Sequence, residues 1–182
     1  MRAARNTLAS VITVMLCALL AAGCSADTAQ PQPGTDSPAP AFESDEAALA
    51  AAEAALAEFW EMNNRILQEG GAEPERIAAV VTADAISGHT DSLSRFAASA
   101  RKQEGSIDFD RVALQQWYGS ATAATVMVTL CVDNSQRQVY ENGDLLDLTH
   151  VPARQAFEAK LTSDGEAGLR LDRMEPWPSL EC

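Results

Sequence analysis

The chain has 182 residues, 47% of them apolar, 21% charged and 5% aromatic, and its 26 acidic against 13 basic side chains give a formal charge of -13. That balance excludes nucleic acid as a partner, because phosphate recognition needs a Lys/Arg-rich face, and it excludes attachment to a membrane surface through a basic patch. With 4 Cys, 8 Pro and 10 Gly the chain is neither collagenous, nor a disulfide-dense miniprotein, nor a zinc-ribbon array.

Residues 1–23 read as an export signal. Arg2 and Arg5 form a positive start, and Leu8 to Leu20 is an uncharged apolar run too short to span a bilayer comfortably. The run ends in LLAAGC, where Ala21, Ala22 and Gly23 directly precede Cys24, and this stretch resembles the lipobox of bacterial lipoproteins. The resemblance implies that the Cys24 thiol receives a diacylglyceryl group, that residues 1–23 are removed, and that acyl chains such as palmitate anchor the protein at the extracytoplasmic face of the cell membrane. An ordinary cleaved signal with an incidental Cys is the other reading. Two acyl chains, at ~0.8 kcal/mol per buried methylene, give stable attachment where one holds only marginally. Removal of residues 1–23 takes away two Arg and no acid, so the remaining chain is more negative still. Anionic headgroups would then repel it.

Residues 24–41 are the anchor and a linker. SADTAQPQPGTDSPAPA holds Pro31, Pro33, Pro38 and Pro40 and no large aliphatic side chain, so it cannot bury enough surface to order itself. Residues 42–182 suffice for one well-buried core and not for two ordinary domains.

This domain reads as α+β, helices first and strands second. The spacing of Leu49, Ala52, Leu56, Phe59, Asn63 and Ile66 predicts an amphipathic first helix, capped by Ser44, with Asp45 and Glu46 in its first turn and Gly70-Gly71 as its stop. Pro74 suits the first turn of a shorter helix carrying Ile77, Val80 and Val81. Thr90 or Asp91 is a candidate cap for a third helix with Leu93, Phe96, Ala97 and Ala100, closed by Gly105 after Arg101 and Lys102.

Strands follow. One runs from Ile107 to Tyr118 and breaks at Gly119-Ser120 into a long alternating strand over Thr122 to Val132. Asn142-Gly143, between Val139-Tyr140 and Leu145-Leu146, is the signature of a type I′ hairpin. Ala153 to Leu161 and Leu169 to Met174 flank Asp164-Gly165, and Pro176 and Pro178 end the sheet.

Three helices, the first long and bearing Phe59-Trp60, followed by long strands joined by tight turns, resemble the nuclear-transport-factor-2-like superfamily. The resemblance implies a curved antiparallel sheet of four to six strands closing around the helices into a cone, and functions that range from isomerases and cyclases to carriers and assembly domains. The lipobox, the Pro-rich linker, Trp60, Cys131-Val132-Asp133 and a Cys at the C-terminus also resemble a set of actinobacterial lipoproteins.

Cys131 and Cys182 are an even pair once Cys17 leaves with the signal and Cys24 is lipidated, which in an oxidising compartment favours a disulfide. A reactive thiol pair or a metal site is the alternative, without a Cys-x-x-Cys to support it. His89 and His150 are too few for a zinc site, so no metal and no cofactor is expected. His89, with Asp84 or Asp91, is a weak catalytic candidate, a carboxylate and imidazole pair of the kind that abstracts a proton beside a carbonyl; a solvated loop or capping His is the plainer reading. Asp108 and Asp110 are either a carboxylate pair or a solvated sheet edge. No Gly-x-Ser-x-Gly, Walker loop, dinucleotide fingerprint or His-Glu-x-x-His occurs. Trp60, Asn63, Phe96, Trp117, Tyr118 and Met127 are candidates to line an apolar pocket, or else are packed core. The expected function is thus non-enzymatic binding of a small apolar ligand or an envelope protein. An isomerase or cyclase using His89, or a structural module forming a homodimer through the sheet face around Arg154, Glu158 and Lys160, is the alternative.

Overall fold

The computed structural model describes residues 39–163, 165 and 168–182. The export signal, Cys24, almost all of the linker and Asp164 of the last predicted turn lie outside them.

Helix α1 spans Asp45–Gln68. Its cap is the predicted one: the Ser44 side chain accepts a hydrogen bond from the Ala47 N–H at 3.2 Å, satisfying one of the free donors of the first turn. The inner stripe buries Ala52, Leu56, Phe59 and Ile66, joined by Ala48, Ala55 and Leu67. The helix ends in a Schellman arrangement, with the Gly71 N–H donating to the Ile66 carbonyl at 2.8 Å and the Gly70 N–H to that of Leu67 at 3.1 Å.

The second predicted helix is a single short 3-10 segment, Pro74–Ala79, that buries Ile77. Val80 and Val81 leave it to run beside the last strand, where Val81 bridges Leu171. Helix α2 spans Ile86–Ala98 and follows Ala85, with no side-chain cap. Thr90 and Asp91 therefore sit inside α2 rather than capping it. Ala97 and Ala100 are exposed, and Arg101 and Lys102 belong to a strand rather than to the end of a helix.

The strands divide between two antiparallel sheets. One has four strands in the order β2-β3-β6-β7 and the other three in the order β1-β4-β5. The strands are β1 (Arg101–Glu104), β2 (Asp108–Ser120), β3 (Ala123–Asp133), β4 (Gln138–Glu141), β5 (Asp144–Leu145), β6 (Arg154–Thr162) and β7 (Arg170–Pro176). The fold is α+β, as its residue pattern predicts. The first hairpin turns at Ala121-Thr122, two residues beyond the predicted break, because Ser120 still pairs with Ala123. Asn142 and Gly143 have φ of 54° and 92°, as a type I′ turn requires.

On β3 the alternation holds: Val126, Val128, Leu130 and Val132 join Leu161 of β6, Leu171 of β7 and Leu56, Ile66 and Ile77 in one core cluster. The outer face of β3 is buried too at Thr129 and Cys131. Cys131 is bonded to Cys182, with an S–S distance of 2.14 Å and a Cα–Cα distance of 5.7 Å, and directly after β7 the Trp177 N–H continues the ladder with β6, donating to the Ala156 carbonyl at 2.9 Å.

Candidate functional site

Residues of α1, α2 and β1, with Ile107 and Arg137, line a cleft of about 510 Å³, within the range of small-molecule pockets. Leu67, Leu93, Phe96 and Ile107 give it apolar walls. Asn63, His89, Ser92 and Ser99 add neutral polar groups, and Arg95, Arg101 and Arg137 add three guanidinium groups.

The close contact of the two helices depends on Gly71. A Cβ there would stand 2.8 Å from the Leu93 carbonyl oxygen and 2.9 Å from the Ala97 Cβ, so a larger residue would push α2 away and open the cleft. The far wall hangs on a chain of side-chain amides. Asn64 accepts from the Ile107 N–H and donates to the Ile107 carbonyl, both at 2.9 Å. Gln103, only 1% exposed, donates to Asn64 Oδ1 at 2.9 Å and accepts from Arg137 Nε at 3.0 Å. Such a network specifies position because the amides of Asn64 and Gln103 are both paired.

Arg137 uses Nε in that chain. Among the described residues its Nη atoms meet no protein acceptor, and Arg137 lines both this cleft and a neighbouring one beside Leu148 and Val151. Burial, and then the like charge of Arg101, pull Arg137 below the usual guanidinium range; it remains charged at any physiological pH. Arg101 Nε donates to Glu141 Oε1 at 2.9 Å. Arg95 makes no ion pair among the described residues.

His89 lies in the same cleft, its ring 5.3 Å from that of Phe59. Burial lowers its pKa from the ordinary imidazole value, so it is neutral at pH 7. Neither expected carboxylate reaches it. Asp91 is two residues along α2, where side chains diverge, and Asp84 is exposed before the helix. No hydrogen bond joins either to the His89 ring among the described residues, and burial alone acts on its titration.

The six pocket candidates do not converge. Asn63 and Phe96 share the cleft with His89. Trp60 is half-buried outside its lining and leaves Nε1 buried without a partner. Trp117 lies in a separate groove of about 460 Å³ beside Asp45 and Leu49, where its Nε1 donates to Asp45 Oδ1 at 2.7 Å and its ring meets Phe42 edge-on at 5.5 Å. Tyr118, one residue on, falls on the opposite face of the sheet and is 54% exposed. Met127 shares that face, accepting from Gln116 Nε2 at 2.9 Å.

Asp108 and Asp110 do not form a carboxylate pair. Asp110 accepts from Arg154 Nη2 at 2.5 Å, while Arg154 Nη1 donates to Asp133 at 2.6 Å. Asp108 accepts from the Ser106 hydroxyl at 3.0 Å. Of the sheet face expected to carry a dimer contact, Arg154 and Lys160 are thus paired within the chain, Lys160 with Asp172. Among the described residues no group of three or more His, Cys, Asp and Glu is placed to hold a metal ion, and no helix is long and apolar enough to cross a membrane.

No family model matches the chain, and no curated protein matches it. Among solved structures, the chain is similar to the intermembrane space region of the chloroplast protein ARC6, at 12% identity and a TM-score of 0.52, over 70% of this chain and 95% of that one. That likeness supports the mixed α and β architecture. A de novo designed β-sheet protein is also matched at 12% identity over 75% of this chain and 95% of that one, with a TM-score of 0.28, too low to bear on the fold.

Sequence reasoning missed Arg95, Arg101, Gln103 and Arg137 as site residues. The Arg-Lys-Gln-Glu run at Arg101–Glu104 carries no apolar residue, so nothing in it signals a strand whose third residue is buried.

Proposed function

We propose that the protein is a lipid-anchored, extracytoplasmic binding domain of the nuclear-transport-factor-2-like kind, holding a small ligand in the cleft between α1, α2 and β1. The single observation that carries this reading is the convergence of Asn63, His89 and Phe96 from two helices on a cleft of about 510 Å³. Binding is preferred to isomerase or cyclase chemistry because, among the described residues, His89 has neither Asp84 nor Asp91 as a hydrogen-bond partner to orient it as a base. The lipobox before Cys24 supports the anchor. The ARC6 region with the similar fold belongs to an intermembrane space, which accords with an extracytoplasmic setting.

The test uses the full chain in a bacterium that processes lipoproteins. Wild-type protein is expected in the membrane fraction and Cys24→Ser outside it, and native mass spectrometry of the wild type is expected to show a retained small mass that Phe96→Asp lacks. Identical fractionation of the two chains would overturn the anchor. A bare wild-type mass, with no shift on adding small solutes, would overturn the binding reading.

A further inference from the structure

Three of the chain's 13 basic side chains line one cleft of a protein whose formal charge is -13. Among the described residues the Arg137 side chain makes one hydrogen bond, through Nε to Gln103, its Nη atoms meet no protein acceptor, and the residue lines both this cleft and a neighbouring one beside Leu148. Among the described residues only Arg101 of the three has a carboxylate partner, Glu141, so Glu141 offsets one of the three charges. Arg137 is partly desolvated and meets the like charge of Arg101, while Arg95 is exposed, so Arg137 lacks solvation it had in water and repels its neighbour. An anion between them would relieve both costs at once. The fork of Arg137 suits a planar or tetrahedral oxyanion, which accepts two parallel N–H bonds, and Ser92 and Asn63 offer neutral donors nearby.

Resting on the cleft as the binding site, we infer that its ligand is a small organic anion whose carboxylate, sulfonate or phosphate group sits against Arg137 and Arg101 and whose short apolar body lies on Phe96 and Leu93. The wholly apolar ligand expected from the aromatic residues is thereby replaced by an amphipathic one. A neutral ligand of the same shape would leave the Arg137 fork buried beneath it without an acceptor, which is costly.

The probes are para-trifluoromethyl benzoate and the neutral para-trifluoromethyl benzamide, titrated by fluorine NMR against the full chain in nanodiscs of zwitterionic lipid, with empty nanodiscs as the reference. Benzoate is expected to bind at least about tenfold more tightly than benzamide, the ratio that one charge-assisted hydrogen bond supplies. Arg137→Met is expected to bring the two probes level, and Phe96→Ala to weaken both. In the unsubstituted chain, added sulfate is expected to displace benzoate and leave benzamide bound, a readout that needs no variant to fold. Equal binding of the two probes in the wild type would overturn the anion while leaving the cleft as the site. Binding of neither at millimolar concentration would overturn both.

Discussion

Gln103 and His89 show how single side chains shape the cleft. Gln103 is an uncharged residue whose amide donates inward to Asn64 and accepts from Arg137, so it carries position rather than charge. His89 is neutral because burial disfavours its cationic form, and that has a consequence for stability. Its folded-state pKa lies below the value of about 6.5 of an unfolded chain, so below that pH the unfolded state binds more protons than the folded one. The stabilisation from a neutral His89 is therefore complete above about pH 6.5 and is lost as pH falls towards the folded-state value. The urea midpoint of the wild type is expected to drop more than that of His89→Gln between about pH 7.5 and about pH 5.5. Parallel decline of the two chains would show that His89 titrates alike in both states.

Among the elements, the turn from β1 into β2 controls the cleft wall. Gly105 has a φ of 72°, and a Cβ on it would collide with the Gln136 carbonyl oxygen. It also offers its own carbonyl to Gln68 Nε2 at 2.8 Å. Gly105→Ala must therefore displace the segment carrying Gln136 and Arg137, and is expected to cost roughly 1–3 kcal/mol by chemical denaturation. The same substitution should weaken benzoate binding; a chain with unchanged stability and affinity would mean that this turn yields without moving Arg137. Some of this was legible in the residues. The α1 stripe with its Ser44 cap, the alternation of β3 and the Asn142-Gly143 turn each follow from a local rule that the tertiary fold does not oppose. The cleft was legible only in part. Asn63, Phe96 and His89 drew notice as types, but Arg101–Glu104 resembles the basic last turn of a helix, and it becomes a strand only because β4 lies beside it, pairing Arg101 with Glu141. Thr90 and Asp91 misled for a related reason: a good capping residue does not start a helix that packing already extends back to Ile86.

For the molecule as a whole, the Cys131–Cys182 bond ties the last residue to the central β3 across 51 positions. Losing it is expected to lower stability by about 4 kcal/mol in the chain-entropy account. Urea unfolding of Cys131→Ser/Cys182→Ser checks this; a change below about 1 kcal/mol would mean that the tail stays docked without the bond.

The fold also separates two points along β2. Pro40 bridges Ser120, and the Ala121 N–H donates to the Ala39 carbonyl at 3.2 Å, so the chain enters the domain at one end of that strand. Ile107, in the cleft wall, precedes its other end. β2 has 13 residues, and at about 3.3 Å each the two points are up to roughly 40 Å apart along the strand. Tension applied upstream of Ala39 would be borne first by the β2–β3 turn and the start of α1. Both of those lie at the far end of β2 and of α1 from Asn64, Ile107 and the cleft, so a pull at the entry point acts on the domain at a distance from its binding wall.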